Sequence, residues 1–438
     1  MISKLKNKVT TIISSEPCAK SVTIYFILKV GSRDEPLKQY GIAHFLEHMF
    51  FKGTCNRPEA KMIASTIDQY GGAFNAFTSH DMTGYYIKLP PKYLETAIDI
   101  LSDMILNSTF DPREIKTEKD VVINELKMRI SDPASKVDEA VNTLMFKGTN
   151  LEHPIGGSKS TVCTFDRESI AKFLINNYKG SNLVISIAGK IKPSIKYIKS
   201  LLNSKISISI TKRYKNFLST KSIPKAVPTT MYNNFYKKQS SYRYKLIRTK
   251  DTEHTFITLA FPTVNYSDPL SFVLEIISII LGGNMSSRLF IELREKQGLV
   301  YNISCTTEYF KDTGSFSISC STFNDKDSIE KVIEEITNQL SKMKSTSITP
   351  SELKKAIDYT INSLDMKRES TNDVALNQAC EYIYLNRTLS LSKIKQLYSK
   401  ITPGMIMKTA KKFFVKRRAN LVMLSPLKIV KPDLKLSH

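Results

Sequence analysis

The order of apolar and polar positions divides the first 130 residues into short strands and amphipathic helices. Residues 10–14 and 21–30 are rich in β-branched and aromatic side chains and predict strands. Residues 42–51 and 60–70 carry apolar side chains at helical spacing, and the second of these helices stops at Gly71-Gly72. Two further strands are predicted at residues 73–78 and 83–89, followed by a long helix over 93–106. The next helix begins at Asp111, where Asp111 suits the cap, Pro112 the first helical position and Glu114 a capping box.

That last helix has an echo. Residues 110–129 align without a gap on residues 348–367, with Pro112, Glu114, Lys116, Asp120, Ile123, Asn124, Leu126 and Met128 matching Pro350, Glu352, Lys354, Asp358, Ile361, Asn362, Leu364 and Met366. The order before it recurs as well: a helix ending near Gly298, strands over 300–308 and 314–321, and a helix over 329–343. Two copies of one α+β unit are therefore expected, each with an antiparallel sheet and helices on one face. The stretch 206–250 is basic, polar and interrupted by Pro224 and Pro228, and is expected to hold the link and the second unit's first strand. The predicted domains are 1–215 and 237–438, with a linker over 216–236.

Composition narrows the function classes. The chain has 438 residues, 41% hydrophobic and 24% charged, which suits two globular domains with real cores. The cysteines, six in number, show no Cys-x-x-Cys pair and read as thiols in a reducing compartment. No run of 18 apolar residues and no secretory signal is evident, so a cytoplasmic protein without a transmembrane segment is expected. The net charge of +23 is mostly spread-out lysine with no nucleic-acid-binding signature, so no specific nucleic-acid partner is expected.

The chemistry lies where the two copies differ. Glu118 faces Ala356 and Glu125 faces Ser363, so only the first copy keeps two carboxylates, two turns apart on one helix face. Alone, that pair reads as a solvated acidic stripe. The helix over 42–51, however, carries His44-Phe45-Leu46-Glu47-His48, an H-x-x-E-H arrangement. His44 and His48, at i and i+4, project from one face and can converge on one ion, with Glu47 beside them. His80, His153, His254 and His438 match no ligand spacing, and Gly156-Gly157 and Gly282-Gly283 lack the context of a phosphate loop.

With these residues in view, the chain resembles the pitrilysin/insulinase family of zinc peptidases, and within it the processing-peptidase-like subgroup. The resemblance covers nearly the whole chain. It rests on GSRDEPLKQYGIAHFLEHMFFKGT at 31–54, GGAFNAFTSHDMTGYY at 71–86, EKDVVINE at 118–125 and GGNMSSRLFIELREKQGLVY at 282–301.

The resemblance implies a zinc-dependent endopeptidase with two homologous domains facing across a cleft. His44, His48 and Glu125 would bind Zn2+, leaving one position for water. Glu47 would be the general base toward that water, and Glu118 would orient a ligand histidine. From the second domain, Arg294 and Tyr301 would contact the substrate carbonyl, although the same two residues also fit a helix-end cation and a strand core position. Phe74, Asn75, Ala76 and Phe77 would form an edge strand to which an extended peptide adds. A homodimer, or a heterodimer with a related subunit, is implied. The alternative is a non-catalytic structural or partner subunit of a processing-peptidase-like complex. Such members usually carry broken metal motifs, whereas His44, Glu47, His48 and Glu125 are all present.

Overall fold

The computed structural model describes residues 1–206, 210–219 and 231–436. Most of the expected linker, residues 220–230, and His438 lie outside the described residues. The chain forms two compact units that are not continuous in sequence. The first comprises Met1–Lys127, His153–Thr229 and Met366–Thr388; the second comprises Met128–Glu152, Thr230–Asp365 and Leu389–His438. These units cut across the contiguous domains expected from sequence.

In the first unit, strands β1 (Ile2–Lys4), β2 (Thr10–Ser15), β3 (Val22–Leu28), β4 (Ala73–Thr78), β5 (Thr83–Leu89) and β6 (Leu183–Gly189) form one sheet in the order β1-β2-β6-β3-β5-β4. The second unit repeats this plan without the first short strand. Its strands β7 (Arg243–Arg248), β8 (His254–Thr263), β9 (Val300–Tyr309), β10 (Gly314–Phe323) and β11 (Asn420–Ser425) run in the order β7-β11-β8-β10-β9. The echo seen in one helix thus extends to the topology of both sheets.

Two details correct the expected architecture. Each sheet is mixed rather than antiparallel, because β2 pairs parallel with β6 and β7 parallel with β11. Helices also cover both faces. In β3, Val22, Ile24, Phe26 and Leu28 enter the main core, while Tyr25 and Ile27 meet Val374, Ala375 and Ala379 of the helix Thr371–Leu385. In the second unit, Ile257 and Leu259 face the main core. On the opposite face, Ala260 and Val422 pack on Val137 and Val141 of the helix Pro133–Met145. Each half of the chain thus lends one helix to the unit built mainly from the other half. The near-continuous apolar run of β3, broken only by Thr23, follows from burial on both sides, which removes the need for alternation.

Around the site, the helices α1 (Ile42–Met49), α2 (Ala60–Gln69), α3 (Leu94–Asn107) and α4 (Pro112–Ser131) fall within a few residues of their sequence-predicted positions. The cap of α4 is simpler than a capping box: the Asp111 carboxylate accepts the Arg113 N–H at 2.8 Å and pairs with the Arg113 guanidinium. Among the described residues, no helix is long and apolar enough to cross a membrane.

Candidate metal centre

The helix α1 buries Ile42, Ala43, Phe45, Leu46 and Met49 in the core, which turns the opposite side, with His44, Glu47 and His48, toward α4 and β4. Its first residue follows Gly41, which has no side chain to cap the helix and sits at φ +92°. The caps come from the preceding loop instead. The buried Glu35 carboxylate accepts the Gly41 N–H through Oε2 and the Ala43 N–H through Oε1, both at 2.8 Å. Two of the unpaired N–H groups at the helix start are thereby satisfied. Burial pushes the Glu35 carboxyl well above its usual range, opposed by those two backbone bonds.

The same loop is anchored to the β4–β5 turn by a buried Arg33–Asp81 ion pair at 3.0 Å and a Ser32–His80 hydrogen bond at 2.8 Å. Gly41 also meets the Gly156-Gly157 backbone so closely that a Cβ on Gly41 would lie 2.4 Å from the Gly156 carbonyl oxygen. These contacts fix where α1 starts and therefore where His44 lies.

On α4, Glu118 and Glu125 do occupy one face, as their spacing predicts, but Glu118 is no surface carboxylate: it is 2% exposed. Its Oε1 lies 2.8 Å from His48 Nδ1, and its Oε2 ion-pairs with Lys52 Nζ at 2.5 Å. His48 Nε2 is left facing Glu125 Oε2 at 3.4 Å, and His44 Nε2 faces Glu125 Oε1 at 3.6 Å. His44, His48 and Glu125 form the one group of three or more such side chains among the described residues that could hold an ion, with ligand atoms within 4.8 Å of one another. Ligand atoms on a tetrahedral zinc with bonds of about 2.1 Å lie ~3.4 Å apart, so the donor set and its spacing fit zinc.

Charge around the cluster is strongly coupled. Burial lowers the His48 pKa, but hydrogen bonding and attraction from Glu118 and Glu125 outweigh it and carry the imidazole up to about 9. Burial would raise Glu118, yet His48 and Lys52 hold it below its usual value. Glu47 is pushed up by burial, against a 2.6 Å hydrogen bond from the Thr78 hydroxyl and the nearby His48.

The expected substrate strand lies beside this cluster. Among the described residues β4 is an edge of its sheet, paired with β5 alone, in register from Ala73 opposite Lys88 to Thr78 opposite Thr83. Phe74 and Ala76 lean on the main core, with Phe74 5.5 Å from the Phe51 ring, while Phe77 turns to the other face beside Tyr25. Asn75 is exposed, and its Oδ1 accepts the Ala76 N–H at 2.8 Å. In the second unit, Arg294 lies in the helical turn Phe290–Lys296 and its guanidinium sits 5.2 Å from the ring of Tyr301 on β9. Tyr301 is 79% exposed, so the strand-core alternative for it does not hold.

Sequence reasoning missed Lys52, Glu35 and the Gly41–Gly157 contact, and it placed Thr78 on the edge strand without its hydrogen bond to Glu47. Lys52 stands four residues after His48, a spacing that was available to read. Glu35 acts across an irregular loop and leaves no periodic signal.

Comparison with known proteins agrees with this geometry. A family described as Insulinase (Peptidase family M16) matches residues 10–159, and one described as Peptidase M16 inactive domain matches residues 164–359. The chain belongs to the insulinase, or M16, peptidase family, whose zinc chemistry agrees with a His44-His48-Glu125 cluster that could hold the ion. It is 31% identical over 421 residues to the uncharacterized zinc protease YmxG of Bacillus subtilis, covering 96% of this chain and 97% of that one. It is 32% identical over 415 residues to an uncharacterized zinc protease of Rickettsia felis, covering 94% of each. A crystal structure of a Helicobacter pylori protease shares the fold with a TM-score of 0.86 at 22% identity, over 97% of this chain and 99% of that one.

Proposed function

We propose that this protein is a zinc-dependent endopeptidase that cleaves peptides or extended, unfolded segments. The observation that carries the reading is the position of Glu47: it lies one residue before a ligand histidine and is hydrogen-bonded at 2.6 Å to Thr78, the last residue of the edge strand β4. His44, His48 and Glu125 would hold zinc, which when bound would act as a Lewis acid, acidifying water and polarising a carbonyl. Glu47 receives the proton of the attacking water on its carboxylate and delivers it to the leaving nitrogen. Its burial supports that role, since desolvation raises its proton affinity. Glu118 holds His48 through Nδ1 so that Nε2 is presented to the ion.

The peptide adds alongside Phe74, Asn75, Ala76 and Phe77 through backbone hydrogen bonds, which tolerate varied side chains and require an extended chain. Because Asn75 occupies the Ala76 N–H, that side chain must yield when a substrate strand arrives. Arg294 and Tyr301 belong to the second, non-metal domain of this reading and stabilise the oxyanion; their adjacency supports joint action. We take residues 1–215 as the core of the catalytic domain and 237–438 as that of its partner domain. The molecule works as a homodimer or with a related subunit. Its six cysteines are free, which favours a reducing, cytoplasmic setting. A non-catalytic partner subunit would have no need of Glu47 beside a complete ligand set.

The test is cleavage of a quenched fluorescent peptide library. Wild-type protein should cleave, chelation should stop cleavage and zinc should restore it. Glu47→Gln should lower kcat by about 10²- to 10⁴-fold with zinc content unchanged. Full activity in that variant would remove Glu47 as the base.

A further inference from the structure

The carboxylate that holds His48 is itself held. Glu118 presents Oε1 to His48 Nδ1 at 2.8 Å, and Lys52 Nζ stands 2.5 Å from Oε2. That oxygen is buried, and the Lys52 ammonium is the group that faces it. Lys52 leaves α1 three residues after the helix ends, so its backbone is tied to the same segment as His48, through a Lys52 N–H bond to the Met49 carbonyl. Its side chain is 27% exposed and can reach Glu118 without full desolvation.

We propose that Lys52 is a positioning residue for the metal site, fixing the Glu118 carboxylate so that Glu118 in turn fixes the ring of His48. The proposal rests on the zinc reading of the cluster and extends it by one link. A carboxylate with one bound oxygen can rotate about its last torsion; with partners on both oxygens it cannot, and the imidazole it holds keeps its plane. Groups that orient metal-binding histidines in this way are worth roughly 10- to 100-fold in metal affinity.

The sign of the effect separates this role from simple electrostatics. A lysine near a cation site repels the incoming ion, so deleting its charge should by itself tighten zinc binding. If Lys52 positions Glu118, deleting it should weaken binding. Zn2+ affinity is measured by competition with a chromophoric chelator, without substrate, for wild type, Lys52→Met, Lys52→Arg, Glu118→Gln and the Lys52→Met/Glu118→Gln pair. Melting of each metal-free variant checks folding. The expected result is about tenfold weaker binding for Lys52→Met and near wild-type affinity for Lys52→Arg, which keeps a cation facing Oε2. Within the Glu118→Gln background, Lys52→Met should add less than about twofold, because the two residues act in series.

Equal or tighter binding by Lys52→Met would overturn the proposal, as would a full tenfold loss on top of Glu118→Gln. Wild-type protein that takes up no stoichiometric zinc would overturn the metal-site reading and this inference with it. Normal wild-type binding with an indifferent Lys52→Met overturns the inference alone.

Discussion

Replacing Glu35 should loosen the start of α1. Glu35 is 1% exposed, and its two oxygens each accept one backbone N–H of α1, from Gly41 and Ala43, at 2.8 Å. Hydrogen bonds to a charged group contribute about 1.5–3 kcal/mol each, and a buried N–H left without a partner costs about 1–3 kcal/mol. In Glu35→Gln one oxygen remains, but the amide NH2 faces the second N–H, donor against donor. One charge-assisted bond is lost and one N–H is stranded, while the relief of burying a carboxylate, visible in its raised pKa, returns part of the loss. The net expectation is about 3 kcal/mol.

For a unit of this size, that corresponds to roughly 6–12 °C in melting temperature. His44 follows Ala43 directly, so zinc affinity should fall together with stability. Differential scanning calorimetry of metal-free protein, paired with zinc titration, measures both. A Glu35→Gln protein that melts within about 1 °C of wild type and binds zinc normally would refute the capping argument.

Burial, reinforced by Arg33, lowers His80 to about 4, so the native state holds it neutral. Since the folded pKa lies below the unfolded value of about 6.5, this stability is complete above that pH and is lost as pH falls toward about 4; at pH 5 about 2 kcal/mol should be gone. Unfolding of wild type and His80→Gln at pH 7 and pH 5 checks it, with the variant expected to lack that increment. Tyr301→Phe should lower kcat more than it raises KM while leaving the melting temperature unchanged, because Tyr301 is 79% exposed; unchanged steady-state kinetics would take it out of the mechanism.

Local signals were readable wherever the partners are close in sequence. β4 and β5 lie at Ala73–Thr78 and Thr83–Leu89, as their patterns predict, because Gly71-Gly72 ends the preceding helix and a four-residue turn joins the strands. The His44-His48-Glu125 cluster was within reach of the sequence because His44 and His48 share a helix face and comparison of the two repeats picks out the carboxylates Glu118 and Glu125, while the choice of Glu125 came from the family resemblance. The strands β6 and β11 gave no such signal: each pairs with strands far away in sequence, and their short apolar runs carry no period that tells strand from buried helix. The sequences of the helices Pro133–Met145 and Thr371–Leu385 carry nothing local that says which sheet they cover. The run VTIYFIL, apolar apart from Thr23, does point to burial on both faces, and it argues against helices on one face only.

The claim on which the rest depends is that two imidazoles and one carboxylate bind a single zinc ion. Zinc K-edge X-ray absorption on protein loaded with one equivalent tests it directly. The account predicts a four-coordinate site with two histidine nitrogens at about 2.0–2.1 Å and light oxygen ligands, and loss of one imidazole contribution in His48→Ala. A spectrum of six-coordinate, all-oxygen zinc, or one unaltered in His48→Ala, would contradict it.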